Sequence, residues 1–97
     1  MPTTMQLLDR ALKVQPAARW ADALDLSDST ITQAKKRGRL SPTLAGELAA
    51  HLGEDPRDWI TIAALEAEPD TSLKKDLVKR LGSAIRNLYK RYRPRSP

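Results

Sequence analysis

The sequence predicts an all-α protein, and three observations carry that expectation. Phe is absent and the aromatic residues are limited to Trp20, Trp59, Tyr89 and Tyr92, so a core must be built mainly from Leu, Ile and Ala, which suit helices better than sheets. Apolar residues recur at spacings of three and four, and almost nowhere with the period-two alternation of a half-buried strand. β-Branched residues do not gather into runs of strand length. At 97 residues the chain has room for one domain with a modest core and a short appendage.

Each predicted helix has its own start and stop signals. The first runs from about Thr4 to Val14, capped by Thr3 or Thr4, with Met5, Leu8, Ala11 and Leu12 on one face. Gln15-Pro16 ends it, because proline disfavours helical geometry in the residue before it. Pro16 then opens a second helix, near Ala17 to Leu24, whose apolar positions are Trp20, Ala21, Ala23 and Leu24. Asp25-Leu26-Ser27 is a short polar break. A third helix is expected from about Asp28, with Ser27 as its N-cap, Ile31 and Ala34 inward, Lys35-Lys36-Arg37 outward, and Gly38 at its end.

Ser41-Pro42 is a cap followed by proline at the first helical position, and Leu44, Ala45, Leu48, Ala49 and Leu52 mark a fourth amphipathic helix stopped by Gly53. Asp55-Pro56 repeats that start for a fifth helix, with Trp59, Ile62, Ala63 and Leu65 apolar as far as about Ala67. Glu68-Pro69-Asp70 reads as a linker, dividing residues 1–68 from residues 69–97. Beyond it, Leu73, Leu77, Leu81, Ile85, Leu88 and Tyr92 recur every three or four residues along a basic helical pattern from Ser72 to Tyr92, weakened at Gly82-Ser83. Residues 93–97, with two prolines, are expected to be disordered.

Charge is unevenly distributed. Met1 to Pro69 holds eight Lys and Arg against ten Asp and Glu, a net of −2, whereas Asp70 to Pro97 holds nine against two, a net of +7. A basic segment points to polyanions, nucleic acid first and an anionic membrane surface second, with a merely solubilising tail as the bland alternative. The absence of Cys excludes disulfides and thiolate metal sites. His51 stands alone and is a poor metal ligand candidate, so no metal or cofactor is expected. No signal-peptide pattern or apolar run of membrane-spanning length is visible, which makes a cytosolic protein the expectation and a membrane partner an improbable one. Glu54, Asp55 and Asp58 cluster at a helix start, where acids serve capping and dipole roles, and no nucleophile–base–oxyanion arrangement suggests an enzyme.

From Met5 to Ala67 the chain resembles the phage repressor and Cro type of helix-turn-helix domain, the lambda-repressor-like family. Trp20, Leu24, Ile31 and Ala34 fall where that family packs two helices together, Ala21 where a small residue allows close approach, Ser27 at the cap and Gly38 at the end of the second helix of the pair. The run LSPTLAGELAAHLGEDPRDW has the pattern of the family's fourth and fifth helices. One position departs: the turn usually holds Gly in a left-handed conformation, and here it is Asp25, which tolerates that conformation better than most residues. The resemblance implies a five-helix domain followed by a basic amphipathic C-terminal helix. It further implies a sequence-specific regulator of transcription, a repressor of phage or mobile-element origin in the cytoplasm of a bacterial host, binding a near-palindromic operator as a homodimer.

The physical logic stands beside the resemblance. An α-helix fits the major groove, where its polar side chains reach base edges. The base-reading set expected on the third helix is Asp28, Ser29, Thr32, Gln33 and Lys36, with Gln33 able to pair bidentately with adenine. Arg19, Lys35, Arg37 and Arg39, joined by Lys36, are expected at phosphates. Asp28 is awkward near phosphates; it either accepts from cytosine or favours the positive helix N-terminus. Both tryptophans are expected in the core.

Three readings compete for the C-terminal stripe of Leu73, Leu77, Leu81, Ile85, Leu88 and Tyr92: pairing with a second copy, packing on its own domain, or binding a membrane or another protein. Dimerisation is favoured because the stripe outlasts the needs of one small domain. Its register drifts across Gly82, so a long regular coiled coil is not expected. An adaptor or virion-assembly protein is the rival to DNA binding.

Overall fold

The computed structural model describes residues 2–92, and its regular structure among them is entirely helical: α1 (Thr4–Val14), α2 (Ala17–Leu24), α3 (Thr30–Arg37), α4 (Pro42–His51), α5 (Pro56–Ala67), α6 (Ser72–Leu81) and α7 (Ser83–Arg91). The segment 93–97, expected to be disordered, lies outside the described residues. No helix among those described is long and apolar enough to cross a membrane.

Local chemistry sets most helix ends. Thr3 forms a capping box on α1: its side chain accepts from the Gln6 amide, and Gln6 accepts from the Thr3 amide. Ser41 and Asp55 cap α4 and α5 through side-chain oxygens, each followed by proline at the first helical position. Past α2, Asp25 adopts a left-handed conformation (φ 54°, ψ 49°), and the Leu26 amide reaches back to the Ala21 carbonyl at 2.8 Å. Asp25 is the one non-glycine residue with positive φ among those described. Gly38 ends α3 in the same way, with φ 78°.

The start of α3 departs from expectation. Helix begins at Thr30, and Ser27 does not cap it through a backbone amide. The Ser27 hydroxyl is instead engaged with the Thr30 hydroxyl at 2.8 Å, while the Ser27 carbonyl accepts the Thr30 amide at 3.1 Å. Hydroxyls at both positions satisfy each other, leaving Asp28 and Ser29 in a turn that leads into the helix.

The core is centred on α1, α4 and α5, with α4 and α5 forming the most extensive helix pair. Leu7, Leu8, Ala11, Leu44, Ala45, Leu48, Ala49, Trp59, Ile62 and Ala63 are all buried there. Trp20 joins this core and donates its indole N–H to the Ala11 carbonyl at 2.8 Å, which satisfies its polar group inside an apolar setting. Both tryptophans are core residues. Leu7 is fully buried although the apolar stripe read from the sequence did not include it.

The basic C-terminal pattern, expected as one helix, is broken into two at Gly82, whose backbone (φ 43°, ψ −109°) belongs to glycine alone. The break divides the apolar stripe. Leu88 is buried in the common core, with Ile85 and Tyr92 packed against it, so α7 lies on the chain's own domain. Leu73 is 80% exposed and Leu77 46%, and α6 buries no residue.

Candidate nucleic-acid interface

α3 is amphipathic by necessity. Ile31 and Ala34, one helical step apart, are buried against the core, which turns Thr32, Gln33, Lys35, Lys36 and Arg37 to solvent. Ser29 and Asp28, in the turn before the helix, are exposed as well. Ser29, Thr32, Gln33 and Lys36 thus occupy successive outward positions. Gln33 makes one long contact, from Nε2 to the Ser29 hydroxyl at 3.4 Å. At that distance the bond is weak, so the Gln33 amide can be redirected to another partner at small cost.

The C-terminal end of α3 is strongly cationic. Lys35, Lys36, Arg37 and, after Gly38, Arg39 are all exposed, and none takes part in an ion pair among the described residues. The partial negative charge at a helix C-terminus favours cations there, so three of them close the last turn without an acidic partner. Arg19, on α2, is also exposed and unpaired among the described residues. A surface depression of about 310 Å³ adjoins this cluster, lined by Arg37, Arg39, Leu40, Ser41, Pro42 and Ala67.

Two features of the surrounding framework escaped the sequence reading. Thr4 is fully buried and its hydroxyl accepts the Leu40 amide at 2.9 Å while donating to Glu66. The Thr4 amide also donates to Glu66, at 3.2 Å. One threonine therefore ties the start of α1, the loop carrying Arg39 and the end of α5. Its partners lie 36 and 62 residues away, and only the isolated apolar Leu40 within a basic loop hints that this loop is anchored.

The second feature surrounds Trp59. Its indole N–H donates to Glu54 at 2.8 Å, Glu54 pairs with Arg10 at 2.7 Å, and the Arg10 guanidinium lies 5.5 Å from the indole centroid. Tyr92 packs its ring 4.9 Å from that of Trp59 and donates its hydroxyl to Asp58 at 2.8 Å. Arg91 adds an ion pair to Asp58 at 3.3 Å. Burial, then the hydrogen bond to the Asp58 carboxylate, hold the Tyr92 hydroxyl above its ordinary pKa. Asp55, Asp58 and Glu54 are thus engaged as a cap and as side-chain partners.

His51, at the end of α4, meets Trp20 edge-on at 5.7 Å. No group of three His, Cys, Asp or Glu residues that could hold a metal ion occurs among the described residues. No family model matches the chain, and neither does any curated protein or solved structure.

Proposed function

We propose that this protein binds duplex DNA in a sequence-specific manner and regulates transcription by occupying an operator. In this reading α2 and α3 form a helix-turn-helix, with α3 entering the major groove. Ser29, Thr32, Gln33 and Lys36 face base edges, while Arg19, Lys35, Arg37 and Arg39 meet phosphates. Asp28, exposed in the turn, takes a cytosine amino group or lies at the positive end of α3. The chain acts as a homodimer, placing two copies of α3 about 34 Å apart on a near-palindromic site. By its resemblance it is a repressor of phage or mobile-element origin.

One observation carries the reading: an exposed row of hydrogen-bonding side chains on α3 runs directly into four exposed cations with no ion-pair partner among the described residues. The left-handed Asp25, between the buried Trp20–Ala21 and Ile31–Ala34 pairs, supports a tight turn between the two helices. Selection of bound sequences from a random duplex pool near physiological salt tests it. An enriched motif with inverted symmetry is expected. A folded protein that enriches nothing would sink the operator reading and favour the adaptor role.

A further inference from the structure

The apolar stripe of the C-terminal segment is written for one helix and used as two. In an uninterrupted helix of 3.6 residues per turn, Leu73, Leu77, Leu81, Ile85, Leu88 and Tyr92 fall within an arc of about 120°. In the structure the bend at Gly82 lets α7 fold back, burying Leu88 and seating Tyr92 and Arg91 on Asp58. Leu73 and Leu77 remain uncovered on α6, whose half-buried positions are Lys74, Val78 and Leu81.

We propose that the second copy of this chain covers that face by exchanging α7: Gly82 straightens, α6 and α7 become one helix, and each α7 enters the Trp59–Asp58 site of the other copy. The exchange rests on the dimeric part of the function proposed above and does not require DNA binding. The closed chain and the exchanged dimer share the contacts of α7 at the Trp59–Asp58 site and lose only those between α6 and α7, so the exchange gives up little at the docking site. The dimer gains contact between the two copies of Leu73, Leu77 and Leu81. Those leucines alone offer too little area for a stable side-by-side dimer, for which about 1,000 Å² is a lower bound. The docking site supplies the remainder. Opposing it, Lys74, Lys75, Lys79 and Arg80 outnumber Asp76 on α6, so two copies repel through this helix and added salt strengthens the pairing.

Gly82 is the control point. A β-carbon there meets nothing closer than the Lys79 carbonyl at 3.5 Å, so the obstacle to other residues is the backbone conformation and not space. Alanine disfavours φ 43° with ψ −109° and prefers helix, which drives the straight form. Gly82→Ala is therefore expected to tighten dimerisation at least tenfold in sedimentation equilibrium.

Charge reversal identifies the exchange itself. Asp58→Arg and Arg91→Asp each place like charges at the docking site of a closed chain or a homodimer. Mixed in the Gly82→Ala background, they restore opposite charges only in an exchanged heterodimer, so native mass spectrometry should find heterodimer well above half of all dimers. Statistical pairing leaves the dimer standing and removes the exchange. A helical Gly82→Ala chain that stays monomeric also removes it. If Gly82→Ala does not fold, the same two reversals mixed at high concentration with Gly82 retained give the decisive count.

Discussion

At the residue scale, Asp25 and Thr4 show what a sequence reveals and what it conceals. Asp25 was legible because the turn after α2 demands a residue that accepts positive φ, and Asp is among the few that do without glycine. Some strain remains, so Asp25→Gly is expected to stabilise by up to about 1 kcal/mol, raising the melting temperature by several degrees. Thr4 was not legible, because nothing within the first helix indicates that its hydroxyl serves a loop 36 residues away. Thr4→Val should cost about 1–3 kcal/mol in urea unfolding, by leaving the buried Leu40 amide without a partner. Thr4→Ser, retaining the hydroxyl, should recover most of that loss. On the proposed interface, Gln33→Ala is expected to lose about 1–3 kcal/mol of binding at one operator position and relax specificity there. Equal losses on operator and random duplex would remove Gln33 as a base reader. Arg37→Ala should weaken all duplexes alike and lower the salt slope by about one unit.

At the element scale, α1, α2, α4 and α5 have the bounds that their caps and prolines announce, since those signals act within a few residues. The sequence starts α3 two residues early because Ser27 looks like a cap, yet a neighbouring hydroxyl outcompetes the amides for it. The separation of α6 from α7 was visible only as a weak point, and the stripe itself does not distinguish folding back from pairing. The buried and exposed ends of that stripe should differ sharply. Leu88→Ala is expected to cost about 2–4 kcal/mol, and Leu73→Ala no more than about 0.5 kcal/mol, in the same unfolding assay. Docking of α7 should also respond to alkali. Tyr92 has a raised pKa in the folded chain, so its contribution is complete below the ordinary tyrosine value and declines as pH rises through the higher folded one. Unfolding at pH 8 and pH 11 should show this loss in the wild type, and Tyr92→Phe should remove the corresponding pH dependence.

At the scale of the whole molecule, the sequence division at the Glu68–Asp70 linker describes charge better than packing. The basic segment begins there, but its second half completes the core through Leu88, Ile85 and Tyr92. Deleting residue 72 onward should therefore destabilise the remaining domain, and, on the function proposed above, it should also reduce dimerisation and DNA affinity. Thermal unfolding beside sedimentation separates the two effects; a truncated chain with unchanged stability would contradict the packing of α7. The setting of Trp59 gives this docking an optical signature. Its indole is buried and shares close contacts with Tyr92, Arg10 and Glu54, and of these only Tyr92 belongs to the C-terminal segment. Release of α7 would admit water to this one fluorophore while leaving Trp20, held by Ala11, in its apolar surroundings. A Trp20→Phe chain should then report the undocking of α7 as a red shift and a loss of energy transfer from Tyr92, a change that exchange of α7 between copies, which refills the site, does not produce.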